Sequence, residues 1–436
     1  MLLLFGLMVW GPPRIRLVAQ HWSVSEAGRV AWNLDMERQG FDLANLAHLA
    51  VWGLGGAIAA LIVARQPGPY LKAITRPPLG WYLAYGLAGV ASAAWSPNRG
   101  YTLYFGSLIP IGLIWLFVIR SRCSTSAPLI VLYVSNVCVW ALLAAFYVLA
   151  PQYVGEPSLA GYRLTGGTFN DYGNAALLSG LGCLTLLVLH REHLRRDVVL
   201  LLVFGYVLSW YFVLLSQTRV TMAIGLIMAA IVLCLSRRPF LIATGVMSVL
   251  AVVAIAGPLG LGERGLSFLA RGEAVTTMGT LTGRTVAFGF LLEHWRASPW
   301  VGYGYGAGSR QLMTEFILKT GLGMGAAHDA LSRSLADLGL LGAVLLGASL
   351  AHAWVVLVQA WRAPARGAQY HALLVHATAL LFWATVRSAM GTGIAALNYP
   401  FLIAMTIAMD VRRRIHRSSQ AKRPEPDARF QLRHTA

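Results

Sequence analysis

A helical bundle that crosses a membrane about twelve times is the fold this sequence predicts. Three observations carry that expectation. The chain is 57% hydrophobic and 12% charged over 436 residues, with a mean hydropathy of +0.61. Its apolar residues form continuous runs, long enough as helices to cross roughly 30 Å of hydrocarbon. These runs do not alternate with polar residues, as the strands of a membrane β-barrel must. Such a composition excludes a string of soluble domains. Cys123, Cys138, Cys183 and Cys234 are scattered, and three lie in apolar runs, so a disulfide scaffold is excluded too. No cleavable signal peptide followed by a soluble domain is expected.

The first run, 1–11, is too short to cross alone. It reads as interfacial, unless the chain starts further upstream. A polar, partly amphipathic stretch follows to residue 41. Spans are expected near 42–64, 79–95, 101–119, 128–150, 171–190, 197–215, 220–236, 240–257, 338–360, 369–389 and 397–411. Arg65, Lys72, Arg76, Arg120, Arg122, Arg191, Arg195, Arg196, Arg237, Arg238, Arg362 and Arg366 then fall on one side, with the tail from Arg412. That side holds more than half of the basic residues and is read as cytoplasmic. Four regions follow: an N-terminal membrane bundle, 1–257; a periplasmic loop with short helices, 258–337; C-terminal membrane helices, 338–411; and a disordered basic tail, 412–436, with a preference for anionic lipid.

The net charge of +18 comes from 35 basic and 17 acidic residues. The positive-inside rule accounts for the cytoplasmic share only. Arg264, Arg271, Arg284, Arg296, Arg310, Lys319 and Arg333 all lie in the outer region 258–337. Two readings stand: a basic surface for an anionic ligand, or pairing with Glu263, Glu273, Glu293, Glu315, Asp329 and Asp337. Within the loop, 263–270 and 284–296 read as helices. Pro299 ends the second, and SPWVGYGYGAGS reads as a turn-laden loop.

Four motifs could carry chemistry. In RLTGGTFNDYGNAA (163–176), Asn170 or Asp171 can cap a membrane helix, while Arg163 and Asn174 would lie near a ligand. SQTRV (216–220) pins Arg219 between two spans, for phosphate or for snorkelling to lipid. LTGR (281–284) sets Arg284 at a helix start, where backbone N–H groups face any anion. In AAHDALSRSLADLGLLG (326–342), His328 begins a helix, and Asp329, Arg333 and Asp337 share one face as a charge ladder. A straight helix would set His328 roughly 15 Å above Leu338. A lone histidine is also a common surface residue. No metal-binding carboxylate pair, zinc spacing, nucleophile elbow, P-loop or dinucleotide fingerprint is present in a suitable context.

Taken in order, GTFND…N, SQTR, GR, SPWVGYGYGAG and H…ADLGLLG resemble the O-antigen ligase and polymerase superfamily of bacterial envelope glycosyltransferases. SAAWSPNRGYTLYFGS (92–107) is similar to a segment those proteins carry between early spans, so the resemblance covers nearly the whole chain. It implies an all-α, GT-C-like, multi-pass enzyme of the bacterial inner membrane with its active site facing the periplasm. It implies transfer of a glycan from undecaprenyl diphosphate to an acceptor hydroxyl, metal-independent and without a cofactor. The acceptor is a lipid A-core sugar for a ligase and another carrier-linked unit for a polymerase. Carried over by position, the catalytic roles fall on Arg219, Arg284 and His328. Arg163, Asn174, Arg296, Tyr303 and Tyr305 read as substrate-binding. Asp329 stands where Asn is common, and Asp337 where Glu is common. Membrane lipids are expected partners, and nucleic acid is not. The competing class is a carrier-lipid flippase or transporter, which would place its polar groups at the bilayer midplane on broken helices.

Overall fold

The computed structural model describes residues 43–124, 126–149, 155–158, 161–164, 171–216, 219–236, 284–320, 329–363, 368–390 and 399–421. They are helical apart from one short hairpin. Helix α1 (Leu43–Arg65) meets α2 (Pro67–Ile74) at a bend of 114°. Pro67 opens α2, where a missing N–H leaves no bond unmade. Helix α3 (Leu79–Ala91) ends in a 3₁₀ turn, Ser92–Ala94. Asn98 then caps α4 (Arg99–Arg122) by accepting the Tyr101 N–H at 3.0 Å. Helix α5 (Ala127–Leu149) precedes the antiparallel pair β1 (Gly155–Ser158) and β2 (Gly161–Leu164). Next come α6 (Asp171–His190), α7 (Arg196–Leu215), α8 (Arg219–Leu235), α9 (Arg284–Trp295) and α10 (Ala307–Thr320). Last are α11 (Ala330–Arg362), α12 (Ala368–Met390) and α13 (Tyr399–Ala421).

Helices stand at ten of the expected spans, and the expected 1–11 and 240–257 lie outside the described residues. By length and composition, four described helices can cross a membrane: α4, α6, α7 and α11. The count rises to five if α1 and α2 form one bent span. The structure therefore supports a multi-helix membrane protein without reaching the expected twelve. Helix α3 has 13 residues, so it extends only about 20 Å. The all-α expectation holds across the described residues apart from the short hairpin, whose run GEPS carries a glycine and a proline. One further expectation is corrected. Helix α13 runs past 411 to Ala421, so the expected disordered tail is helical at its start. No Pro or Gly interrupts the chain there before Pro424.

Burial orders the bundle. In α13, Phe401, Leu402, Ile403, Met405 and Ile407 are almost wholly buried. This helix packs against α12 and α11, and less extensively against α4 and α5. Its first half, residues 399–409, is apolar on every side because neighbours surround it. Helix α7 is the opposite case, exposing Leu200, Leu201, Phe204, Val207 and Tyr211. Such a surface suits lipid, since lipid tails are as apolar as these side chains. Arg120 on α4 and Asp410 on α13 form a largely buried ion pair at one end of the bundle.

Helix α11 is broken near its start. Gly339 adopts φ 64 and ψ −155, which strips the flanking backbone of helical partners. Residues 299–304 supply replacements. The Tyr303 N–H donates to Ala336 O at 2.9 Å and the Gly304 N–H to Asp337 O at 2.8 Å. In return, the Leu340 N–H donates to Pro299 O at 2.7 Å and the Leu341 N–H to Trp300 O at 3.3 Å. The two chains interlock through glycine. A Cβ on Gly339 would sit 2.4 Å from the Trp300 carbonyl carbon, and one on Gly302 (φ 61) 2.6 Å from that of Asp337. Neither backbone can yield without losing these bonds. Gly339→Ala and Gly302→Ala should each cost more than about 2 kcal/mol of stability. Gly347→Ala, whose added carbon meets nothing within 4 Å, should leave the thermal unfolding midpoint unchanged or slightly raised. Equal midpoints for all three variants would refute the interlock.

Candidate active site

The loop that clasps α11 is rigid for local reasons. Trp295 ends α9, and its Nε1 donates to Pro299 O at 2.9 Å. The Tyr303 hydroxyl reaches back to His294 O at 2.8 Å, satisfying a carbonyl at the end of α9. The loop is then fastened to the segment after α3. The Tyr305 N–H donates to Ser92 Oγ at 2.9 Å, and its carbonyl accepts from Thr102 Oγ1 at 3.0 Å. Ser96 Oγ lies 2.6 Å from Thr102 Oγ1 and completes the chain of hydroxyls. The Tyr305 ring meets Tyr85 edge to face at 5.7 Å. Burial and the neighbouring Tyr85 and Tyr82 hold the Tyr305 hydroxyl well above its ordinary pKa, so it stays protonated. The structure thus joins 92–107 to SPWVGYGYGAG, two motifs far apart in sequence.

A buried charge pair lies behind this loop. The Asp337 side chain is 0% exposed and Arg333 is 26% exposed, with Nε at 3.4 Å from Oδ2. Asp337 Oδ1 accepts the Ser309 N–H at 2.7 Å. Ser309 lies in the first turn of α10, so the carboxylate also meets the positive end of that helix. Arg310, next in sequence, stacks on the Tyr101 ring at 4.8 Å. The expected three-residue ladder is corrected at one rung. Asp329 accepts the Ser332 N–H at 2.6 Å and the Ser332 hydroxyl, and so caps α11. A local cap satisfies a backbone donor that an exposed i,i+4 pair would leave free.

The expected site residues fall into two groups. Arg219 is the first residue of α8, and Arg163 lies in β2, opposite Glu156 in register. Asn174 on α6 is buried, and its Oδ1 accepts from Thr221 Oγ1 at 3.1 Å. That bond holds Asn174 within two positions of Arg219. In the second group, Arg284 opens α9, Arg296 is exposed in the turn after it, and Tyr303 and Tyr305 sit in the clasping loop. His328 and the side chains of Arg163, Arg219 and Arg284 lie outside the described residues. Helix α11 begins at Ala330, beyond the histidine expected to open it. Of the described acids, Asp337 pairs with Arg333, Asp329 caps a helix and Glu315 faces His294 at 3.9 Å. The sequence reading had Arg310 only among the outer basic residues, and it missed Tyr101 beneath it and how deeply Asp337 is buried.

Residues 204–347 match the family model described as O-antigen ligase. That stretch, about a third of the chain, is similar to the O-antigen ligase family. The match runs from within α7 to just past the break in α11, so it contains Arg219, Arg284, His328 and the clasping loop. Arg163 and Asn174 precede the O-antigen ligase match. No curated protein matches the chain. The match supports an activity of the O-antigen ligase or polymerase type.

Removing one partner of the pair under the loop leaves the other buried and uncompensated. Asp337→Ala and Arg333→Met should each cost roughly 3–5 kcal/mol. The double variant should cost less than the sum, because the coupling is lost only once. Thermal unfolding of the three variants in detergent measures this, and strict additivity would show that the two residues do not interact.

Proposed function

We propose that this protein is a ligase-type glycosyltransferase. It moves a glycan from undecaprenyl diphosphate to a hydroxyl of a lipid A-core sugar, on the periplasmic face of the bacterial inner membrane. The observation that carries this reading is the O-antigen ligase match over 204–347, which holds both arginine-led helix starts and the loop anchored at Gly339. Undecaprenyl diphosphate leaves well only if its developing negative charge is balanced. Arg219 and Arg284 supply that charge from the first positions of α8 and α9. Backbone N–H groups at a helix start are unpaired and favour an anion. A guanidinium at that position opposes the helix dipole, so a diphosphate beside it relieves an unfavourable contact.

In the transfer, the acceptor oxygen attacks the anomeric carbon opposite the diphosphate. The bond from that carbon to the diphosphate oxygen breaks, and its electron pair leaves with the diphosphate. His328 takes the acceptor proton, and the anomeric centre inverts. Charge stabilisation comes from fixed guanidinium groups in the transition state. Asn174 and Arg163 line the donor side, and Arg296, Tyr303 and Tyr305 the loop side. The Tyr303 hydroxyl already bonds the His294 carbonyl, so its ring would contact the sugar; Tyr305, expected to bind substrate directly, is buried against Tyr85 and would act through the loop it anchors.

Purified full-length protein with carrier-linked glycan and core acceptor tests this. His328→Ala should lower transfer by roughly 100-fold or more while donor binding persists; undiminished transfer would remove the base role. Arg219→Lys and Arg284→Lys should recover only part of the activity lost in the alanine variants, because lysine lacks the planar fork. Full recovery at both would argue against bidentate phosphate recognition. A glycolipid gel from a deletion strain decides the acceptor. Long-chain lipopolysaccharide missing, with polymer left on the carrier, means ligase. Single repeat units on the core mean polymerase.

A further inference from the structure

Past its break, α11 carries an apolar surface that the proposed reaction does not use. Between Asp337 and Arg362 there is no Asp, Glu, Lys or Arg. As a helix, 338–361 rises about 36 Å, enough to span roughly 30 Å of hydrocarbon with the charges just outside it. Leu341, Val344, Ala351, Val355 and Val358 are exposed along one face of this run. From Leu341 to Val358 that face extends about 26 Å, close to the full hydrocarbon thickness. Such a face suits lipid over its whole length. Leu341 therefore sits at one edge of the hydrocarbon, with the break at Gly339 just beyond it.

The clasping loop meets the helix at this edge. Trp300 O accepts the Leu341 N–H and Pro299 O the Leu340 N–H, so the loop backbone lies against the first turn of the apolar face. Trp300 is 69% exposed and Val301 42%, and Leu340 beside them is exposed as well. The loop is held by backbone bonds and by Trp295 and Tyr303. Holding it does not require apolar side chains at 300 and 301. A second tryptophan, Trp95, is 45% exposed in the segment to which the loop is fastened. Its neighbour Ser96 lies so close to the loop that a Cβ on Gly304 would come within 2.6 Å of it. Arg296, four residues before Trp300, is exposed.

We infer that Trp300 and Val301 enter the lipid leaflet on their side of the bilayer, with phospholipid acyl chains as the partner. Apolar side chains gathered at the edge of a spanning face are unfavourable in water and favourable in hydrocarbon. Tryptophan suits this depth, because its ring is apolar while its N–H reaches hydrated headgroups. Arg296 is long enough to reach the level of the phosphates. Continuity with the face of α11 favours lipid as the occupant over a second copy of the chain. The contact fixes the depth of the clasp, and with it the platform that the clasp forms. In the proposed reaction, that is the depth at which a lipid-linked donor carries its diphosphate. The lipid contact itself does not rest on that reading.

The test measures depth and needs no activity assay, so its outcome is separate from that of the proposed reaction. Full-length protein, with alanine in place of Cys123, Cys138, Cys183 and Cys234, is reconstituted in vesicles of phosphatidylethanolamine and phosphatidylglycerol. A nitroxide is attached in turn through Trp300→Cys and Val301→Cys. Val344→Cys, on the apolar face, gives the reference for hydrocarbon, and Glu293→Cys, exposed on α9, the reference for water. Both test positions are exposed, so labelling them should leave the thermal unfolding midpoint unchanged. Collisions of each label with oxygen, which concentrates in lipid, are compared with those of a nickel chelate, which stays in water. The oxygen-to-nickel ratio at 300 and 301 should approach that at 344 and stand well above that at 293. A ratio like that of Glu293 at either position would overturn the proposal. So would spectral broadening at 300 that disappears on dilution with unlabelled protein, because a second copy of the chain would then cover the surface.

Discussion

At Gly339, α11 gives up its own hydrogen bonds, and residues 299–304 take them over. This exchange governs the rest of the described site. The loop cannot be placed without the break, because its N–H groups need the freed carbonyls of Ala336 and Asp337. The break cannot persist without the loop, because Leu340 and Leu341 would be left with unpaired donors away from water. Glycine at 302 and 339 is what allows the two backbones to approach this closely. The result is a fixed platform at one end of the bundle rather than a pendant loop.

The platform sets the positions of the groups around it. Tyr305 carries the clasp to Ser92 and Thr102, so the early helices are fastened to the stretch that matches the O-antigen ligase family. Asp337, two residues before the break, carries it to the start of α10 and to Arg333. A charge this deeply buried is tolerable because a guanidinium and a helix start both face it. His328 stands shortly before the capped start of α11, so whatever the histidine does depends on where the clasp holds that helix. In the proposed reaction the fixed loop would keep acceptor and donor groups from drifting apart, which is where positioning contributes most to rate.

Much of this was legible in the sequence, and the remainder has physical reasons for being hidden. Apolar runs mark helices because hydrocarbon demands them, and the helix expected at 284–296 is found as Arg284–Trp295. Glycine, tyrosine and Pro299 announced the irregular loop. The break at Gly339 was hidden because LGLLG lies in an apolar run whose composition suits a continuous helix. Asp329 was misread because a local cap and a helical charge pair use the same residues. The Tyr305 contacts to Ser92 and Thr102 are non-local, and one sequence holds no signal for them. The hairpin at 155–164 is too short for any period to show.

The proposed chemistry rests on Arg219 and Arg284 sharing one diphosphate with His328 beside it. An experimental structure of the full-length protein with an undecaprenyl diphosphate lipid bound tests that most directly. The account predicts density for the diphosphate between the two guanidinium groups, with the imidazole facing the anomeric position. Density for the diphosphate elsewhere, or the three side chains turned toward opposite ends of the bundle, would contradict it.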